Sequence, residues 1–463
     1  MMAWEASWES PFAAYLSCFD ELIGDRRTGF TFQETVKGII AAGSLICKRI
    51  AAHSQLFAAT SKGGQRVIRL AKGESTKRSQ LDAVSLTERL RSHGLAELAE
   101  SETEELWLIC DGSDLRKPHA QMMPDLMQVK DLDGKLVPGY RTLNVLGVTP
   151  KRRGILYHRL FSSKEADFSS EPAEVQTALQ TVHRALQEQQ RWRSVTWIMD
   201  RGFDDIAVWR TIWEHQEHVV CRVKHTERLI EYQAQAERWL AKDIAAALAE
   251  LRHYATVQTE MVVMRGRQPR PKAQMVTADI RACPLRLTYE ANVRREGAAE
   301  VLHKDLWLVE VRLLGTRLEP WLLITDIPVN DTESAVLIFR MYRQRWAVED
   351  AFKFTKDCLG WEDVQLLDLT GIRTLVALAW VAAGFLYELG VTLEWPEVQL
   401  IARLGGWEYH KDRKPGKIIL TRGLHRLMDM LTTEAFLNAY IEEHGQLPPR
   451  IAALLKDWTP RKL

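Results

Sequence analysis

Paired cysteines are missing from this 463-residue chain: its six, at positions 18, 47, 110, 221, 283 and 358, show no C-x-x-C spacing. That argues against a zinc ribbon and a disulfide framework and fits a reducing cytoplasm, the expected location. Charge of one sign is not in excess either. With a formal net charge of +1, any affinity for a polyanion must come from local patches rather than from the whole molecule. No internal repeat and no low-complexity tract stands out, and the start shows no signal-like pattern. Thr374–Tyr387 is uncharged, but at 14 residues it is too short to span a bilayer and reads as a buried helix. His215-x-x-His218 falls at a helix-to-strand junction, where i, i+3 geometry fails, so no metal pair is expected there.

What is present describes an ordinary soluble protein, 46% hydrophobic and 27% charged, long enough for two or three domains with real cores. Basic residues cluster in three places. Lys62, Arg66, Arg69, Lys72, Lys77 and Arg78 form the first, Lys151-Arg152-Arg153 the second, and Lys411, Arg413, Lys414 and Lys417 the third. Each suits a DNA backbone or a solvated loop.

The most informative segment is MYRQRWAVEDAFKFTK, in which Tyr342, Arg345, Glu349 and Lys356 are spaced by three, four and seven residues. On an α-helix these offsets return the four side chains to one stripe. A carboxylate between two cations suits holding a metal ion against phosphates. Two apolar runs upstream supply further carboxylates. Leu106–Cys110 leads into Asp111-Gly112-Ser113-Asp114, and Val195–Met199 into Asp200-Arg201-Gly202. Each reads as a buried strand stopping on an aspartate, where glycine permits a sharp turn.

Taken together, Asp111, Asp200 and the Y-x2-R-x3-E-x6-K signature resemble the DDE transposases of bacterial insertion sequences, in the cut-and-paste group often called IS-four. The resemblance covers about residues 105 to 365. It implies an RNase H-like core, a mixed five-stranded sheet with helices, interrupted by a β-rich insertion. Alternating strand and helix patterns accommodate that α/β plan. Residues 1–100 are expected to be a helical DNA-binding region, and 101–223 the first part of the core. The β-rich insertion would occupy 224–328, with a basic loop at Arg265–Lys272. The catalytic helix would fall in 329–365, capped by Asp331 or Thr332, and a helical dimerisation or regulatory region in 366–463.

The resemblance also implies that Asp111, Asp200 and Glu349 are catalytic and bind two Mg²⁺ or Mn²⁺ ions. Tyr342, Arg345 and Lys356 would contact phosphates near the cut. Lys353, one turn past Glu349, is placed to join them. Arg201 suits either the same role or a packing salt bridge. Asp114 is a weaker substitute for Asp111 and suits capping a turn. Trp321 suits stacking on a flipped base or a place in the core. The expected partners are double-stranded DNA, as transposon ends and target, and a second copy of the chain, without a membrane. Two rivals share parts of the pattern: a stand-alone metal nuclease on the same core, and a non-catalytic DNA-binding regulator. Three carboxylates facing DNA disfavour the second, because like charges repel phosphates. A glycoside hydrolase leaves the flanking cations unexplained.

Overall fold

In the computed structural model, which describes residues 11–54, 60–74, 79–131, 133–234, 238–263, 272–295, 298–408 and 415–456, the described strands join in one twelve-stranded sheet. Besides a helical stretch over residues 11–17, four helices precede it: α1 (Arg26–Ala42), α2 (Cys47–Ala52), α3 (Thr60–Lys72) and α4 (Ala83–Ala99). Asp25 and Asp82 cap α1 and α4 by accepting backbone N–H bonds, which satisfies donors that the first helical turn leaves free.

The first half of the sheet places β4 (Arg153–Phe161), β3 (Leu136–Val148), β1 (Glu105–Arg116), β5 (Ser194–Met199) and β6 (His218–Arg222) side by side. A short β2 (Met127–Lys130) pairs with the start of β3. β1 is antiparallel to β3 and parallel to β5, which is parallel to β6. The parallel steps need crossovers. α5 (Glu171–Gln189) leads into β5, and α6 (Ile206–Glu214) connects β5 to β6.

Six more strands follow within residues 224–328, the stretch expected to hold a β-rich insertion. β7 (Leu229–Gln233), β8 (Trp239–Asp243), β9 (Arg252–Val263), β10 (Lys272–Arg295), β11 (Ala298–Leu314) and β12 (Trp321–Thr325) extend the same sheet. β12 pairs with β6 through Leu323↔Arg222, Ile324↔Cys221 and Thr325↔Val220. The edge of β6 would otherwise leave backbone donors and acceptors unpaired, and β12 covers it.

Strand alternation sorts the two faces. Leu106, Leu108, Cys110, Trp197 and Met199 meet α5 and α6 in one core, while Ile109, Ile198 and Val220 belong to a second core on the opposite face. That second face carries the N-terminal helices together with α7 (Thr332–Arg343), α8 (Trp346–Leu359) and α9 (Leu369–Thr392). The run Thr374–Tyr387 proves to be the middle of α9, which is 24 residues long. Among the described residues α9 alone is long and apolar enough to cross a membrane, but 67% of its most apolar window is buried inside the fold, with Trp380 and Phe385 in the core. It is the central core helix. α10 (Trp395–Leu404), α11 (Lys417–His444) and α12 (Pro449–Lys456) follow.

Candidate active site

Register brings two aspartates together. β1 and β5 run parallel with Cys110 beside Met199, so Asp111 and Asp200 stand one step beyond the last pair on neighbouring strands. Both have the parity of Ile109 and Ile198, which directs their side chains to the face that carries α7 and α8.

The two positions differ in a way the sequence did not reveal. Asp200 does follow the last residue of β5. Asp111, expected to end a strand, lies inside one: β1 continues to Arg116, paired with β3 through Asp111↔Asn144, Gly112↔Leu143 and Asp114↔Arg141. Gly112 is therefore a strand residue and not a turn. The partner that stops is β5, while the antiparallel partner β3 carries β1 onward. Asp114 likewise caps no turn; its carboxylate lies 3.5 Å from Arg141, and its carbonyl accepts a 2.7 Å hydrogen bond from Lys356.

The third acid comes from the helical face, where a second correction applies. Tyr342, Arg345, Glu349 and Lys356 do not share one continuous helix. Asp331 caps α7 with a reciprocal bond to Ser334, as the sequence suggested, but α7 ends at Arg343 and α8 starts at Trp346. Between them the backbone tightens, with Arg345 N–H donating to Tyr342 O at 3.0 Å and Ala347 N–H to Gln344 O at 2.8 Å. These are i to i−3 bonds. Side-chain spacing cannot distinguish one turn of three residues from one of 3.6, since 342 and 345 are neighbours in both. The break has a consequence: Glu349 now sits in the first turn of a new helix, whose positive N-terminal end favours a carboxylate.

Arg345, at the break, holds the acids together. Its guanidinium lies 2.6 Å from Glu349 Oε1 and 3.4 Å from Asp111 Oδ2, and its side chain is only 10% exposed. Burial alone would lower its pKa, but Glu349, Tyr342, Asp200 and Asp111 outweigh that and raise it. One cation does not compensate three acids. Burial, with smaller contributions from the charges of Asp200 and Glu349, pushes Asp111 up to about 7 against the pull of Arg345 and the Gly112 N–H. Asp200 Oδ1 is buried with no hydrogen-bond partner, and so is the Tyr342 hydroxyl. A buried acceptor left unpaired is costly unless something binds it.

That donor set fits divalent cations: oxygen ligands only, an unpartnered buried carboxylate oxygen, and surplus negative charge. The three carboxylates are not drawn onto a single point. Among the described residues only His93, Glu97 and Glu388 place three ligand atoms within 4.8 Å of one another.

The remaining residues singled out from the sequence are dispersed. Lys356 lines a cleft of about 530 Å³ with Asp111, Asp114, Arg116, Arg141 and Gly202, but its ammonium is engaged by Asp114 O and lies 3.5 Å from Glu362. Burial lowers its pKa. Lys353 is exposed and lines a different groove, with Glu349, Asp350 and Arg153. Arg201 is half-exposed, 3.8 Å from the exposed Glu319, an ion pair too solvated to hold it firmly. Trp321 stands in the core at 4% exposure, with its ring 5.2 Å from Trp346, 5.4 Å from Tyr342 and 6.1 Å from Phe339. In this arrangement no face of the indole is open to a base.

Of the basic patches, Arg152 is paired with Glu97 and Glu100, Arg153 lies 3.8 Å from Asp350, and Lys417 lies 2.8 Å from the same Asp350. Lys77, Arg78, Arg265–Pro271, Lys411, Arg413 and Lys414 lie outside the described residues. His215 stacks on His183 and His218 bonds Asp326, so each has its own partner.

Sequence reasoning missed the bidentate pair of Arg116 with Glu362, at 2.8 and 3.1 Å, which braces the far end of β1 against the turn after α8. It missed Arg141 in the cleft as well. Apolar alternation through GYRTLNVLGV marks a strand, but its register against β1 had no local signal.

No curated protein matches the chain. Among solved structures, it is similar to the piggyBac transposase synaptic complex with hairpin DNA, at 9% identity and a TM-score of 0.42, covering 93% of this chain and 77% of that one. So distant a likeness carries no argument. The family model described as Transposase DDE domain matches residues 102–383, well over half of the chain and the whole span from β1 into α9. The chain belongs to the DDE transposase family, whose members act in DNA transposition and recombination.

Proposed function

We propose that this chain is a cut-and-paste transposase of the bacterial IS-four group, built on an RNase H-like core, that cuts DNA at the ends of its element and joins the freed 3′-OH groups to target DNA. The observation that carries this reading is the convergence of Asp111, Asp200 and Glu349 around Arg345, with a buried Asp200 oxygen lacking a partner. The order β4-β3-β1-β5-β6, antiparallel and then parallel, supports the RNase H-like assignment.

Asp111, Asp200 and Glu349 would hold Mg²⁺ or Mn²⁺, two ions per site. Such ions lower the pKa of a water and neutralise charge developing on the leaving 3′ oxygen. The protein's own contribution is position and charge. Asp111 and Asp200 are fixed by paired strands, and Glu349 by the first turn of α8. Arg345 offsets the mutual repulsion of the acids, and its guanidinium is suited to a scissile phosphate. Tyr342, Lys353, Lys356 and Arg201 are further phosphate contacts; for Lys356 this requires release from Asp114. Trp321 would stack on a base only after leaving its packing against Trp346 and Tyr342. Residues 1–100 are assigned to DNA binding and residues 366–463 to dimerisation or regulation, with two copies pairing two DNA ends. The site of action would be the bacterial cytoplasm, on nucleoid DNA.

The test is cleavage of a labelled duplex carrying the repeats that flank the gene, with Mg²⁺ or Mn²⁺, with EDTA, and with Glu349→Ala. Metal-dependent cutting at the repeat boundary, lost in the variant, is expected. Sequence-specific binding without cutting under every condition would replace the transposase with a regulator.

A further inference from the structure

Away from the acidic triad, a second group of ligand-type side chains lies where the N-terminal helices meet the core. His93 and Glu97 are one turn apart on α4, and Glu388 faces them from α9; one ligand atom from each lies within 4.8 Å of the others. We propose that these three residues hold a divalent first-row cation, Zn²⁺ by the chemistry of its donors, that pins α4 to α9.

Four observations support it. His93 Nε2 lies 3.0 Å from Glu388 Oε2, while the opposite ring nitrogen, Nδ1, lies 3.3 Å from Cys18 Sγ. A partner on the second nitrogen fixes the ring and points the first at the ligand position. The three side chains are largely shielded, 17% exposed for His93 and 22% for both glutamates. A small cavity of about 30 Å³ opens beside them, bounded also by Arg152 and Arg153 and by Gly94, Gly154 and Gly384. That is room for one ion or one water. The glycines let the surrounding elements pack closely: a Cβ on Gly154 of β4 would lie 2.8 Å from Gly94 O of α4, and one on Gly384 of α9 would lie 2.5 Å from the Tyr15 hydroxyl.

One imidazole and two carboxylates match Zn²⁺, with a water completing the set. Arg152 pairs with Glu97 through Oε2, so an ion there would share that carboxylate with the guanidinium. The alternative occupant is a proton shared between His93 and Glu388. In that case the cluster is a helix-to-helix ion pair and nothing more.

The experiment uses the full chain carrying Asp111→Asn, Asp200→Asn and Glu349→Gln, so that the triad takes up no metal. Equilibrium dialysis against Zn²⁺ should find one ion per chain. Adding Glu388→Gln, or Glu97→Gln if the former does not fold, should weaken binding at least about tenfold, since even outer-shell changes do so. X-ray absorption should give a nitrogen and oxygen shell at ~2.0–2.1 Å with an imidazole signature and no sulfur at ~2.3 Å. Absence of bound zinc, undiminished binding in the added variant, or a sulfur shell overturns the proposal. None of these outcomes depends on whether the protein cuts DNA.

Discussion

Two charge clusters reach opposite faces of β5, at Trp197 and at Asp200, the second with Glu349 half-exposed, and they are built to different ends. On one face Glu217 is fully served: His183 Nδ1 lies 2.7 Å from Oε1 and Trp197 Nε1 donates to Oε2 at 2.5 Å. On the other face Asp200 keeps an unpartnered buried oxygen beside Asp111 and Glu349, with Arg345 as the shared cation. The first cluster is complete as it stands and belongs to the packing of α5 against the sheet. The second carries surplus negative charge that folding alone does not resolve. Such a cluster, assembled from three separate elements, is what the proposed catalytic role requires.

The sharpest way to break the contrast is by activity. Asp200→Ala or Glu349→Ala should reduce DNA cleavage by at least about a hundredfold to a thousandfold, while gel-shift binding to the element's ends stays largely intact. Loss of binding and folding together would place these acids with Glu217 as structural groups. Glu217→Ala should do the reverse. Stranding His183 and Trp197 in the core should cost about 3–5 kcal/mol in urea unfolding, with the specific activity of the folded fraction unchanged.

Trp321→Ala tests the aromatic support beneath the helix break. Its burial predicts a loss of about 3–5 kcal/mol, read as a fall in melting temperature. A stable variant that nicks one strand but fails at the second would instead assign Trp321 to DNA.

The finest effect is a pH slope. Asp111 is held near 7 in the folded chain, against ~3.9 when unfolded. The folded state therefore retains a proton that the unfolded state gives up. The stabilisation is present at low pH and is lost as pH rises between those values, by up to about 1.4 kcal/mol per pH unit. Unfolding in EDTA from pH 5 to 8 should show this decline, and Asp111→Asn should flatten it. Added Mn²⁺ should oppose the decline, because a cation favours the ionised carboxylate. An unchanged slope in the variant would remove Asp111 from the strained cluster.

Much of the core was legible along the chain. The apolar runs before Asp111 and Asp200, the period of α5, and the cap at Asp331 are local signals, and each corresponds to a real element. What escaped depends on partners. Whether β1 stops at Asp111 is decided by β3, which lies more than twenty residues downstream and continues pairing after β5 has ended. The break between α7 and α8 escaped because three- and four-residue spacings look alike over a single turn. The basic residues that read as DNA contacts are partly tied to Asp350, Glu97 and Glu100, and those pairings are long-range.

By itself, then, the sequence determined the kinds of groups at the site, their order, and the parity that sends Asp111 and Asp200 to one face of the sheet, because alternation along a strand is a property of the backbone. The tertiary structure alone decided how those groups stand toward one another. It set Arg345 between Asp111 and Glu349, left an Asp200 oxygen without a partner, and closed the edge of β6 with β12. Charge compensation and edge pairing join residues far apart in the chain, and the energies that settle them arise only once water has been excluded.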